Sequence, residues 1–213
     1  MRATYVLSVL PLLLAPILGQ GDDSAVLAAI DKGREAVKSG KAQEAVEHLQ
    51  RAIGLLQAMA TKGLASFLPT RDEKVWEMGE VESQNGNWGA GEQAFQWSQV
   101  TRRYTKKETE GGPEVTVMIS NSPQIIQAQR ASFEMFKDPA MRAMMNRANP
   151  DQKVEMIEEG EWLGILTTEK ESSTALVLHK TVMVQIDVQQ GDDKLAKEFW
   201  AAIPKAGLAA GTK

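Results

Sequence analysis

The stretch "GEWLGILTTEKESSTALVLHKTVMVQIDVQQGDDKLAKEFWAAI", Gly160 to Ile203, changes its hydrophobic period once, and that change decides the fold. Through Val188 the apolar residues alternate. Val182, Val184, Ile186 and Val188 fall on one side of an extended chain, with Met183, Gln185, Asp187 and Gln189 on the other, which is the pattern of a strand with two different faces. From Asp192 the period lengthens. Leu195, Phe199 and Ile203 then line one side of a helix, and Asp192 and Asp193 stand where an N-cap is needed. Strands joined by short turns and closed by a capped helix give an antiparallel sheet with a helix on its face.

Reading outward, "KVEMIEEGEWLGILTTE" predicts a hairpin turning at Glu159-Gly160, and "STALVLHKTVMV" another near His179-Lys180, where no Asn-Gly signal marks the turn. Upstream, "EVTVMIS" sets Val115, Val117 and Ile119 against Thr116, Met118 and Ser120, and "AFQWSQVTRRYTK" precedes it across the turn "ETEGGP". Ser122-Pro123 starts a helix running through Ile126, Gln129, Phe133 and Phe136, and Asp138-Pro139 breaks it and begins a second. Before Pro69 the period is helical. "SAVLAAIDKGREAVKSG" carries Val26, Leu27, Ile30 and Val37. After Gly40, "KAQEAVEHLQRAIGLLQAMATKGLASFLP" carries Ala45, Val46, Leu49, Ala52, Ile53, Leu56 and Met59. The expected order is a helical hairpin, two or three strands, helix, four strands, helix. This is an α+β fold with an N-terminal antiparallel helical hairpin and an antiparallel sheet covered by helices.

The N-terminus, "MRATYVLSVLPLLLAPILGQGDDSA", has a positive Arg2, an apolar run from Tyr5 to Leu18, small residues at Gly19 and Gly21, and then acid. That order predicts a signal peptide over residues 1–21. The run falls short of the roughly 20 residues a membrane span needs, and Pro11 and Pro16 interrupt it. Without cysteine there is neither a lipid-bearing thiol nor a disulfide framework. The charge is −4, from 24 basic and 28 acidic residues, and loss of Arg2 makes it −5. A mildly acidic chain with no basic run offers nothing to nucleic acid, and none to a membrane surface once the signal is removed. The expected parts are the signal, a hairpin over 22–68, a main domain over 72–208 and a tail over 209–213.

Gly33, Gly40, Ala45, Leu49, Ala52 and Ile53 fall at the relative spacings of a tetratricopeptide repeat, so the hairpin resembles one such unit, lacking the first helix's aromatic residues. One unit cannot hide its own apolar face. The resemblance therefore implies that the hairpin packs on the rest of the chain or on a partner. From Arg71 to Leu208, the hairpins followed by an Asp-capped closing helix are similar in order to the photosystem extrinsic subunit PsbP and the small exported bacterial proteins grouped with it. That resemblance implies a periplasmic or extracellular protein and carries over no catalytic residue, metal or cofactor.

Site candidates are few. "FEMFKDPAMRAMMNRA", Phe133 to Ala148, holds Met135, Met141, Met144 and Met145. These can fill a core or flap, form an adaptable binding face, or offer thioethers to copper(I). The expected orientation puts Phe133, Phe136, Met141 and Met144 on the sheet and Lys137, Arg142 and Arg147 in water. Glu158, Glu159 and Glu161 surround a turn as a carboxylate pair or calcium loop would, without calcium-loop spacing. His48 and His179 lie far apart, and Ser172 and Ser173 read as loop residues rather than nucleophiles. "NGNWGAGEQ", Asn85 to Gln93, lacks the Lys-Ser/Thr of a phosphate loop and reads as a loop that presents Trp88. Trp162 and Trp200 sit in regular elements and read as core anchors. The sites left for contact with a partner or ligand are Trp88, Met141, Met144 and Met145.

Elimination leaves an exported, non-enzymatic binding or accessory module without a cofactor, its partner an envelope protein or an apolar ligand. Copper handling through the methionines and a carboxylate-dependent hydrolase are the alternatives. Intact-mass measurement of the exported protein should show cleavage between Gly19 and Asp22. A product that retains residues 1–18 and sediments with membranes would contradict the signal reading.

Overall fold

A computed structural model describes residues 23–88, 95–107 and 111–210, the side chains at 87, 88, 95 and 96 excepted. The signal peptide read over residues 1–21 lies outside the described residues. No helix among them is long and apolar enough to cross a membrane.

Helices α1 (Asp23–Lys38) and α2 (Ala42–Ala65) form the hairpin. Gly40 ends α1 at φ 71°, where Gly40 N donates to Val37 O and Lys41 N to Ala36 O. This crossed pair of bonds satisfies the last carbonyls, and the left-handed residue between them suits a glycine. Strands β1 (Trp76–Met78), β2 (Glu82–Trp88), β3 (Phe95–Lys106) and β4 (Glu114–Ser120) follow, then helices α3 (Pro123–Phe136) and α4 (Pro139–Ala148). Strands β5 (Lys153–Glu159), β6 (Trp162–Thr168), β7 (Ser172–Leu178) and β8 (Met183–Gln189) lead to α5 (Asp193–Ala202) and α6 (Lys205–Ala210). The protein is α+β, with one antiparallel eight-stranded sheet ordered β1-β3-β4-β8-β7-β6-β5 and β2 also paired to β3.

Four strands precede α3 rather than two or three. The 12-residue β3 is long enough to serve two short partners, β1 opposite Tyr104–Lys106 and β2 opposite Phe95–Thr101. The stretch read as a loop at Asn85 therefore begins as strand, through Trp88, and residues 89–93 lie outside the described residues. Its polar, glycine-bearing sequence has no alternation to signal a strand; the open edge of β3 supplies the order. At Gly86 a Cβ would stand 2.5 Å from the indole nitrogen of Trp97 on the facing strand, so only glycine permits that approach.

Chain order explains the helices on each face. After β4 the chain must reach β5 at the far edge, four strand spacings or about 19 Å away. Helices α3 and α4 make that crossing. The 14 residues of α3 span about 21 Å. They cover one face, where Ile126 and Phe133 are buried with Leu178 and Met183 against Met118, Leu163, Ile165 and Leu176. The opposite face presents Val115, Val117, Ile119, Leu166, Ala175, Val177, Val184, Ile186 and Val188, all buried, beneath α5, α6 and the end of α2. Asp192 caps α5 as expected, its carboxylate accepting from Leu195 N at 3.3 Å. The expected tail begins inside α6, which continues to Ala210.

Phe199 of α5 lies between Trp76 and Tyr104 at centroid distances of 5.3 and 5.0 Å, both edge-on, with the Arg71 guanidinium 4.2 Å from its centroid. Tyr104 is fully buried and its hydroxyl donates to Pro69 O at 2.8 Å, tying the end of the hairpin segment to β3. Burial pushes that hydroxyl up to about 12, from the ordinary 10. The folded state thus favours the neutral phenol, and the unfolded chain ionises first. Tyr104→Phe should lower stability by about 1 kcal/mol at neutral pH through the lost bond. The gap between parent and variant should narrow as pH rises from 10 to 12, because the parent alone loses stability over that window. Denaturant titrations of both proteins across that range check it.

Candidate functional site

The methionine segment is built on two Pro-initiated helices. Ser122 and Asp138 precede Pro123 and Pro139, and Asp138 Oδ1 accepts from Ala140 N at 2.8 Å. Phe133 is wholly buried and packs toward the sheet with Ile126 as expected, while Phe136, expected beside it, is only half-buried. The second helix departs from expectation. No residue of α4 is buried; Met141 and Met145 are half-exposed, and Met144 is 58% exposed instead of facing the sheet. Arg142, expected in water, donates to Phe136 O and, at 3.1 Å, to Lys137 O at the end of α3. Asn146 pairs with Val154 of β5, its Oδ1 accepting from Val154 N at 2.9 Å and its amide donating to Val154 O at 3.5 Å. These two polar anchors, one turn apart, fix the phase of α4. Met144 lies two residues, about 200°, from each, and is turned outward. Methionine spacing alone did not carry that information.

The hairpin presents a larger apolar surface. Mostly small residues are buried in it: Val26, Ala29, Gly33 and Ala36 of α1, and Ala45, Ala52 and Met59 of α2. A Cβ on Gly33 would lie 3.1 Å from Leu49, so the helices approach closely there. Several large residues are left outside. Leu27 is 60% exposed, Val37 61% and Val46 47%, with Ile30 and Leu49 near 40%. Ile53 and Leu56 beside them are half-buried. On each helix this outer stripe is rotated about 100°, one residue, in the same sense from the inner stripe. In an antiparallel pair, equal rotations of that kind bring both stripes to the same side. Leu27, Ile30 and Val37 thus share one face with Val46, Leu49 and Ile53. Arg34 is the charge on the α1 stripe, paired with Asp31 at 3.1 Å; Lys38 pairs with Glu35 at 2.9 Å along the same rim.

The remaining candidates are separated by the fold. Glu159 turns toward α5 and α6, accepting from Trp200 Nε1 at 3.0 Å and pairing with Lys205 at 2.8 Å. Glu161 turns toward Lys180 and His179. The hydrogen bond from Lys205, joined by Trp200, holds Glu159 below the usual carboxylate range; Lys180 and then His179 do the same for Glu161. Every carboxylate among the described residues with a resolved shift moves downward, opposite to the shift a general acid needs at neutral pH. His179 is buried against Trp162, ring centroids 4.9 Å apart, with Nε2 3.3 Å from Glu161 and its carbonyl accepting from Arg130 at 3.3 Å. Ser172 and Ser173 belong to β7 rather than to a loop, and Ser173 Oγ donates to Asp192 O at 3.1 Å. Ser173 stands six strand residues, about 20 Å, from His179, so the two cannot form a triad. His48 is half-buried on α2. No three His, Asp or Glu side chains among the described residues converge as metal ligands. Trp162 and Trp200 are buried and meet edge-on at 5.3 Å, as core anchors do. Trp88 ends β2 opposite Phe95, and the contact role read for its side chain lies outside the described residues.

A shallow open depression of about 440 Å³ between the β6–β7 turn and the start of α5 is lined by Lys170, Glu171, Gln190, Gly191 and Asp192. It has no apolar wall to hold a ligand. Among the described residues, the exposed large apolar side chains belong to two places, the hairpin and α3–α4: Leu27, Ile30, Val37, Val46, Leu49, Ile125, Met135 and Met144. Sequence reading named Met141, Met144 and Met145 as contact candidates while turning Met141 and Met144 to the sheet, and it missed which hairpin face stays bare. The signal was present, since Val46, Leu49, Ile53, Leu56 and Ala60 recur at 3-4-3-4 spacing beside the small-residue stripe. Comparison of the chain with protein-family models, curated proteins and solved structures gives no match.

Truncation should separate the two kinds of methionine-segment residue. Phe133→Ala should cost about 3–5 kcal/mol, as large buried truncations do, while Met144→Ala should stay within about 0.5 kcal/mol. Met141, Met144 and Met145 changed together to Leu should cost less than about 1.5 kcal/mol. Urea titration checks all three, and copper(I) titration of the triple variant tests the thioether reading. Tight binding lost in that variant would make the segment a metal site.

Proposed function

We propose that the protein is an exported, non-enzymatic binding or accessory module of the bacterial envelope whose helical hairpin carries the contact surface. The observation that supports this reading is the bare apolar face of Leu27, Ile30, Val37, Val46 and Leu49. A soluble chain seldom leaves so many large apolar residues on one side of one motif unless something covers them. The face is broad and flat, formed by two parallel ridges of side chains, whereas small-molecule sites are concave. Its occupant is therefore a protein rather than a small apolar ligand. The sheet domain acts as the rigid mount: α2 and the segment after it enter the main core through Leu64 and Leu68, so a load on the hairpin is carried by the sheet. The single-repeat resemblance of the hairpin and the PsbP-like element order agree with an accessory role.

The double variant Leu27→Glu, Val46→Glu replaces two exposed residues, so it should keep the parent's circular dichroism and melt. In crosslinking pull-downs from envelope extract it should lose the partner that the parent retains. Equal recovery by both proteins would remove the hairpin as the contact surface.

A further inference from the structure

We infer that the occupant of the bare hairpin face is a second copy of this chain, placed antiparallel across a two-fold axis so that the two hairpins stack as a four-helix bundle. The inference rests on the binding-module reading of that face and names its partner. Three observations carry it. The first is the seam. Val46, Leu49, Ile53, Leu56 and Ala60 repeat at 3-4-3-4 spacing, and Leu27, Ile30, Arg34 and Val37 at 3-4-3. β-branched residues and leucine alternate along the first of these, the arrangement that knobs-into-holes packing between helices requires. Leu49 of the α2 stripe also lies over Gly33 inside the hairpin, but Leu27, Ile30, Val37 and Val46 stay exposed beside the inner stripe that makes the helix contact.

The second observation is charge. A two-fold interface brings each residue against its counterpart in reverse order. The charges on and beside the apolar face of α1 read Asp31, Arg34, Glu35, Lys38, with Arg34 on the stripe itself. Reversed about its midpoint, this row sets Asp31 opposite Lys38 of the second copy and Arg34 opposite Glu35. Each of these four α1 charges meets its opposite, and Ile30 of one copy falls two residues, about 3 Å along the axis, from Val37 of the other. An anionic membrane surface would instead call for a one-signed basic rim.

The third is area. The 16 residues of α1 make the face about 24 Å long, and two helices make it about 20 Å wide. Two stacked faces remove roughly 1,000 Å² from water, the lower bound for a specific interface. The dimer is accordingly one that forms and dissociates with concentration. α1 packs on α2 and makes little contact with the sheet, so its outer side is sterically open to a copy.

Sedimentation velocity of the purified protein from micromolar to sub-millimolar concentration should show monomer passing to dimer. Val37→Glu, at an exposed position, should raise the dissociation constant roughly tenfold or more by placing a carboxylate in the seam. Asp31→Lys and Lys38→Asp should each weaken the dimer, and the double variant should recover it. That recovery is specific to the two-fold contact, because within one chain the double variant breaks both the Asp31–Arg34 and the Glu35–Lys38 pairs. A protein that stays monomeric throughout overturns the inference, whether its own residues 1–21 or a different protein occupies the face. A dimer indifferent to Val37→Glu overturns it too. In the monomeric case, loss of an envelope partner by the double variant Leu27→Glu, Val46→Glu would leave the binding-module reading standing and remove only this one.

Discussion

The pairing of β8 with β4 joins two halves of the chain that would otherwise be separate small sheets. On one side of it lie the strands made before the crossover, on the other the meander that follows. Val115 faces Val188, Val117 faces Ile186 and Ile119 faces Val184, all six essentially without solvent contact. Such cross-strand apolar pairs are the unit of sheet stabilisation, each contributing about 0.2–1 kcal/mol. Because the return to β4 is made by the last strand, the first strand of the meander must start at the far edge. The α3–α4 crossing, the covering of one sheet face and the position of the methionines all follow from that single pairing.

The two faces are then treated differently. The face under α5 is closed by aromatic contacts, with Phe199 set between Trp76 and Tyr104 and Trp200 against Trp162. The face under α3 is closed by fewer residues, and α4 beyond it is held by polar anchors on the ends of its neighbours. This difference is physical in origin. A helix that packs with Phe133 at full burial is fixed by apolar area, whereas one with no buried residue is fixed by hydrogen bonds to backbone groups that need partners anyway. Asn146 also occupies backbone groups of the edge strand β5, the kind of edge that otherwise invites pairing with another chain.

The hairpin inverts the usual placement of side chains. Ala29, Gly33, Ala36, Ala45 and Ala52 are inside, and Leu27, Val37 and Val46 are outside. Small residues allow the two helix axes to approach closely, which strengthens the pair but leaves little room for Leu27, Val37 or Val46 between them. The result is a stiff two-helix plate whose outward face is apolar, mounted on the sheet through Leu64, Leu68 and the Tyr104–Pro69 bond. Stiffness of this kind lowers the conformational cost of covering the face.

Periodicity in the sequence determined the α+β class, both hairpins of the meander, the Asp caps of α4 and α5 and the glycine that ends α1. Each rests on interactions within a few residues, where local stereochemistry decides. The short strand at Glu82–Trp88 was not legible, because its polar residues and glycine acquire a strand's conformation from the edge of β3 rather than from their own pattern. Ser172 and Ser173 became strand for the same reason, through pairing with Gln189 and Val188. Met144 and Arg142 exchanged their expected places because the phase of α4 is set by carbonyls at the end of α3 and by the backbone of Val154, partners that lie outside the helix and meet it only in the fold. In the hairpin, each helix carries two apolar stripes one residue apart, and a sequence shows both without ranking them. The tertiary structure made the choice: the stripe of small residues lets the helices approach more closely, so the stripe of large ones is turned to the surface.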